Sequence, residues 1–142
     1  MPFDVPTGLT TSGPTVEVYN AAGNVDRVLD TGESFSIQID WAISGGSAPL
    51  LAGTWTVRAF AESVGPGPEV LLGTASVALA GPLSFSATIP IPAPAGNQLP
   101  SGPPPISGVY KIVTVITHTN AFGAATEMAG FEEGPVIQMR TP

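Results

Sequence analysis

The sequence predicts an all-β fold: a seven-stranded antiparallel sandwich with an extended N-terminal arm. Three observations predict it. Phe35-Ser36-Ile37-Gln38-Ile39-Asp40-Trp41 alternates large apolar with polar residues, which puts Phe35, Ile37, Ile39 and Trp41 on one face of a strand. Similar runs recur along the chain, and no helical period competes with them. The 17 Gly and 16 Pro among 142 residues fall in clusters between those runs, as tight connections between short strands require.

Each element follows in order. Residues 1–13 are Gly/Pro-rich but carry Phe3, Val5 and Leu9, and read as an arm ahead of a single domain, 14–142. Residues 15–19 form a first short strand, Asn20-Ala21-Ala22-Gly23-Asn24 a turn, and 27–29 a brief pairing. Asp30-Thr31-Gly32-Glu33 turns the chain into the strong second strand, 34–43. A loop opens at Gly45-Gly46-Ser47-Ala48-Pro49 and carries Leu50 and Leu51. Strand three, 54–62, sets Trp55, Val57, Ala59 and Ala61 on one face, with Thr56, Arg58 and Glu62 on the other. Gly65-Pro66-Gly67-Pro68 breaks the chain before strand four, 70–79, and Gly81-Pro82 before strand five, 83–89, with Leu83, Phe85, Ala87 and Ile89 inward. The Pro-rich stretch 90–105 favours polyproline II and a path along the surface. Strand six is 109–119, Asn120-Ala121-Phe122-Gly123 a loop, and 128–139 the last strand, bulged or bent at Gly134-Pro135 because proline lacks a ladder donor. The chain contains neither an internal repeat nor a composition shift that would mark a linker between domains.

Gly108-Val109-Tyr110, entering Lys111-Ile112-Val113, resembles the start of the sixth strand in immunoglobulin-like domains. The resemblance implies a Greek-key sandwich in which the Tyr110 hydroxyl closes a corner on upstream backbone. It places Trp55 at the family's core tryptophan and Ile112 at the second cysteine of disulfide-bearing members. Where the family often has Asp, this chain has Ile106. The layout resembles the adhesion-like and accessory sandwich modules of bacterial proteins more than antibody domains, and such modules mostly bind or build.

Composition narrows the function. The net charge is −7, and the four cations Arg27, Arg58, Lys111 and Arg140 are scattered. Neither nucleic acid nor an anionic membrane surface suits such a chain. Cysteine is absent, so the fold uses no disulfide or thiolate metal site. Met1-Pro2-Phe3-Asp4-Val5 has neither the basic nor the apolar region of a signal peptide. The expectation is therefore a cytoplasmic rather than an exported chain. No apolar run is long enough to span a bilayer as a helix.

Candidate chemistry is sparse. His118 is the one histidine, with no nucleophile motif to serve, and reads as a strand-end residue facing solvent or a loop. Glu132 and Glu133 are neighbours on a strand, so they point to opposite faces and cannot share an ion unless a bulge turns them; they read as solvated edge charges. Asp26, Asp30 and Glu33 lie near one turn but lack the spacing of a calcium loop. Trp41, Trp55 and Tyr110 share the phase of the core and read as packing rather than a sugar platform. Only Phe60 and Tyr19 are rings on the polar phase. The sequence calls for no catalytic residue, no cofactor and no metal.

Two features point to contact with other molecules. The loops after the second and sixth strands gather at one end and bring Leu50 and Leu51 near Asn120 and Phe122, as an interface or as a plug for the core. Strand six is apolar on both faces, because Val113 and Val115 alternate with Tyr110, Ile112 and Ile116. The Pro-rich connection, the arm or another subunit would cover the outer face, and Phe3, Val5 and Leu9 suit an arm laid across a neighbour. These observations favour a non-catalytic structural or protein-interaction module that self-assembles or docks in a larger particle. The alternative is a carbohydrate-binding or adhesive module of an exported bacterial protein. An enzyme ranks last.

Overall fold

A computed structural model describes residues 3–4, 9–45, 52–79, 83–103 and 107–141, with backbone only at residues 3, 4 and 127. The described strands are β1 (Phe3–Asp4), β2 (Thr10–Asn20), β3 (Val28–Asp30), β4 (Phe35–Ser44), β5 (Thr54–Ser63), β6 (Glu69–Ala78), β7 (Ser84–Ile91), β8 (Val109–Thr119) and β9 (Ala125–Arg140). They form two sheets, a β-sandwich. The large sheet runs β1-β9-β8-β5-β6, with β3 also on β9; the small sheet runs β2-β4-β7. Among the described residues there is no α-helix, only a 3₁₀ turn at Ala95–Asn97.

Alternation builds the core as the sequence predicts. Every second residue of β4, from Phe35 to Ile43, is buried, as are Phe85, Ala87, Ile89 and Ile91 of β7. From the facing sheet come Trp55, Val57, Ala59, Ala61, Tyr110, Ile112 and Ile116. Trp41 stacks on Phe85 at 5.6 Å between centroids and meets Trp55 edge-on at 6.1 Å. Such ring pairs contribute about 0.5–1.5 kcal/mol each beyond their burial.

Four expectations change. The first long strand starts at Thr10, inside the stretch read as arm, and Leu9 is buried in the chain's own core. Phe3–Asp4 pairs antiparallel with Gly130 and Ala129 of β9, so this part of the arm extends its own sheet. The Pro-rich connection does not simply hug the surface: Ala95 and Leu99 are fully buried and plug one end of the sandwich. Ala95 and Gly96 donate to the Glu33 and Thr31 carbonyls at 2.9 and 2.8 Å, which ties the connection to the turn before β4. β9 is longer than 128–139, but its register does slip around Gly134-Pro135, between the partners of Lys111 and Val113.

Candidate interaction surface

The site is built by register. Directly opposed residues on neighbouring strands share a face. Phe60 of β5 lies opposite Val113 of β8 and Leu71 of β6. One rung on, Arg58 lies opposite Val115, and Val115 opposite Phe131 of β9. Trp55, Val57, Ala59 and Ala61 take the inward phase of β5, so Arg58 and Phe60 take the outward one. The result is an apolar stripe on the outward face of the large sheet: Leu71, Phe60, Val113, Val115 and Phe131. Leu71 and Phe131 keep 50% and 49% of their surface exposed; Phe60, Val113 and Val115 are half-buried among their neighbours.

A bulge in β6 presents Leu71. The register shifts between Ala59 and Phe60, so Leu71 faces out while Leu72 turns into the core. Gly73 is part of that turn. A Cβ there would stand 2.5 Å from Ile89 Cγ2 on the opposite sheet, so only glycine permits the approach.

Charges frame the stripe. Lys111 Nζ lies 3.3 Å from Glu133 and 3.7 Å from Glu62. Glu133, through its hydrogen bond and its charge, raises the lysine pKa above its ordinary value. Arg58 is exposed and has no ion pair among the described residues.

Val113 and Val115 thus lie at the centre of the surface that the doubly apolar strand implied. Phe131 and Leu71 were not legible as members. Phe131 joins only through its pairing with Val115, and the Val70-Leu71-Leu72 run hides which leucine faces out until the bulge is known. The remaining predicted contacts lie elsewhere. Phe3 is described by backbone alone; Val5, Leu50 and Leu51 fall outside the described residues. Asn120 is a turn residue: its side-chain oxygen accepts from the backbone N–H of Phe122 at 2.9 Å and Ala124 at 3.1 Å. Asn20 holds the preceding Asn-Ala-x-Gly turn through Ala22 and Asn24 in the same manner. Phe122, 95% exposed, crowns the β8–β9 turn. That turn and the end of the β4–β5 loop do meet, since a Cβ on Gly53 would lie 2.0 Å from the Thr119 carbonyl oxygen.

The other candidates are held structurally. His118 does not face solvent. It is buried, with Nε2 2.8 Å from the Ala52 carbonyl, Nδ1 2.9 Å from Thr126 Oγ1, and its ring 5.1 Å from that of Trp55. A carbonyl only accepts, so Nε2 carries a proton and donates; neither ring nitrogen is open to a substrate. Trp41, Trp55 and Tyr110 are core residues. Tyr110 donates from its hydroxyl to the Pro100 carbonyl at 2.7 Å, the corner the resemblance implied. Thr114, opposite Glu132, is buried, and Val113, opposite Glu133, faces out; the two glutamates therefore take opposite faces. Asp26 accepts from Val28 N–H at 3.1 Å and from Asn20 at 3.2 Å, bonds that lower its pKa. Asp30 pairs with Arg140 at 3.2 Å. No group of three His, Asp or Glu side chains capable of holding a metal occurs among the described residues.

No protein-family model matches the chain, and no curated protein is similar to it. Solved structures are. The C-terminal domain of wzt is similar over 99% of this chain and 78% of that one, with a TM-score of 0.62 at 8% identity. The CARDB domain of the PF1109 protein from Pyrococcus furiosus, solved with di-metal ions, is similar over 98% of this chain and all of that one, with a TM-score of 0.52 at 12% identity. Both are immunoglobulin-like β-sandwiches. At such identities the likeness speaks for the fold alone.

Proposed function

We propose that this chain is a non-catalytic structural or protein-interaction module that works as part of an assembly, an immunoglobulin-like sandwich whose seven long strands follow Greek-key order. The single observation that carries the reading is the stripe on the large sheet. A central sheet face in a free monomer is ordinarily polar on the water side, whereas this one aligns apolar side chains across four strands. The described parts of the arm and of the Pro-rich connection leave that face open: one extends the sheet edge and the other plugs the end. A low-charge chain of net −7 with two scattered ring exposures suits protein contact better than glycan stacking. Phe122 and Phe131 lie six or more strand residues apart, about 20 Å at ~3.4 Å per residue, too far to cradle one sugar ring.

The test is binding of an apolar fluorescent dye such as anilinonaphthalene sulfonate at low chain concentration, where association does not cover the stripe. Replacing Leu71 and Phe131 together by Ser should abolish most dye binding while leaving the circular dichroism spectrum intact. Equal dye binding by the variant would show that the stripe is not an accessible apolar surface, and the reading would fail.

A further inference from the structure

We propose that the occupant of the stripe is a second copy of this chain, docked large sheet to large sheet. The inference rests on the interaction-module reading and names its partner. The first argument is charge. Like copies with a net charge of −7 repel each other over most of their surface. The outward face of the large sheet is different: among the described side chains it carries Arg58, Lys111 and Arg140, three of the chain's four cations, against Asp30, Glu62, Glu69 and Glu133. Cations thus nearly balance carboxylates among its described side chains, which lowers the repulsion between two copies that meet there.

The second argument is complementarity. A two-fold interface must suit itself. Lys111 is engaged with Glu62 and Glu133 within the chain, whereas Arg58 stands beside Val115 with no ion pair among the described residues. A facing copy supplies what Arg58 lacks, a carboxylate, and what Phe60 and Val113 lack, an apolar cover. The third is size. Four strands at ~4.8 Å spacing and ten residues of β5 at ~3.4 Å each give a face of roughly 650 Å², so two copies bury about 1,300 Å². That is within the range of specific interfaces. Aligned sheets packed face to face are also how sandwich cores form.

The experiment is sedimentation velocity of the full chain from 10 µM to 1 mM by order of magnitude, with Val115→Arg, Arg58→Glu and Gln38→Arg compared. Wild type should dimerise. Val115→Arg should weaken dimerisation by more than about tenfold, since it buries a charge at the centre of the contact. Gln38→Arg, on the small sheet, should not weaken it. Arg58→Glu should weaken the dimer, and Arg58→Glu combined with Glu133→Arg should recover part of the loss. A dimer indifferent to Val115→Arg and Arg58→Glu would overturn the assignment of the face. A wild-type monomer at the highest concentration would overturn the second copy as partner; the broader reading falls only if the dye experiment fails as well.

Discussion

Tyr110→Phe removes one oxygen and tests the corner that joins the Pro-rich connection to β8. The hydroxyl is buried and donates to the Pro100 carbonyl at 2.7 Å. The ring would keep its packing in the phenylalanine variant, so the loss is the hydrogen bond and the solvation of its acceptor. Pro100 is half-buried, which lets water reach the carbonyl in part and places the cost at about 1–2 kcal/mol, or roughly 3–6 °C in melting temperature for a domain of this size. The pH dependence is a second, independent readout. Burial raises the Tyr110 pKa above 10.0. As pH rises past that ordinary value, the unfolded chain loses the proton while the folded chain keeps it, so the unfolded state binds fewer protons and stability falls. The contribution is whole below pH 10 and is lost as pH climbs toward the raised value. Urea denaturation at pH 7 and at alkaline pH measures both effects: the variant should be weaker at pH 7 and lose less stability on going alkaline. An unchanged midpoint at pH 7 with an unchanged alkaline slope would refute the corner as an energetic feature.

Gly53 and Gly123 both hold positive φ, +112° and +80°, but a Cβ meets the Thr119 carbonyl oxygen at 2.0 Å in the first case and nothing within 4 Å in the second. Gly123→Ala should cost about 1–2 kcal/mol of backbone strain, and Gly53→Ala well beyond that, enough to displace the β4–β5 loop; thermal melts that rank the two alike would contradict the close approach. His118→Ala removes two hydrogen bonds and a ring packed on Trp55 and should destabilise by about 2–4 kcal/mol, read as a lower urea midpoint; a neutral substitution would show that the buried histidine is not a structural tie.

What the sequence disclosed follows the physics of period two. The β4 and β5 runs declare their buried faces because one-residue slips would expose every large side chain, and both strands match. Trp41, Trp55 and Tyr110 were legible as core for the same reason. Alternation along one strand says nothing about its neighbour. The stripe exists because Leu71, Phe60, Val113, Val115 and Phe131 meet across β6-β5-β8-β9, and that depends on bulges at Ala59/Phe60 and around Gly134-Pro135 which shift the register. Val113 and Val115 gave two of the five stripe residues away by breaking the polar phase of their own strand. Leu9, Ala95 and Leu99 misled because isolated apolar residues in Gly/Pro-rich segments carry no period, and only the open ends of the sandwich show that they plug it.

The edge of β9 bears on the proposal of contact through the face, because strand addition there is the competing route. β1 covers Ala129 and Gly130, and β3 covers Gln138 to Arg140. Between them lies a gap, residues 131–137, with no partner on that side among the described residues. Three features close it to pairing: Pro135 has no N–H to offer, the register slip bends the strand, and Glu132 and Glu133 place charge on both faces. Replacing Glu132, Glu133 and Pro135 together by Thr, Thr and Val should leave a foldable sandwich, since none of the three is buried. The variant should aggregate faster than wild type on incubation at 37 °C, followed by light scattering, because the gap would then offer a continuous strand edge. A variant that retains native circular dichroism and scatters no more than wild type would show that these residues do not guard the edge, and strand addition at β9 would then compete with face-to-face docking as the way this chain associates.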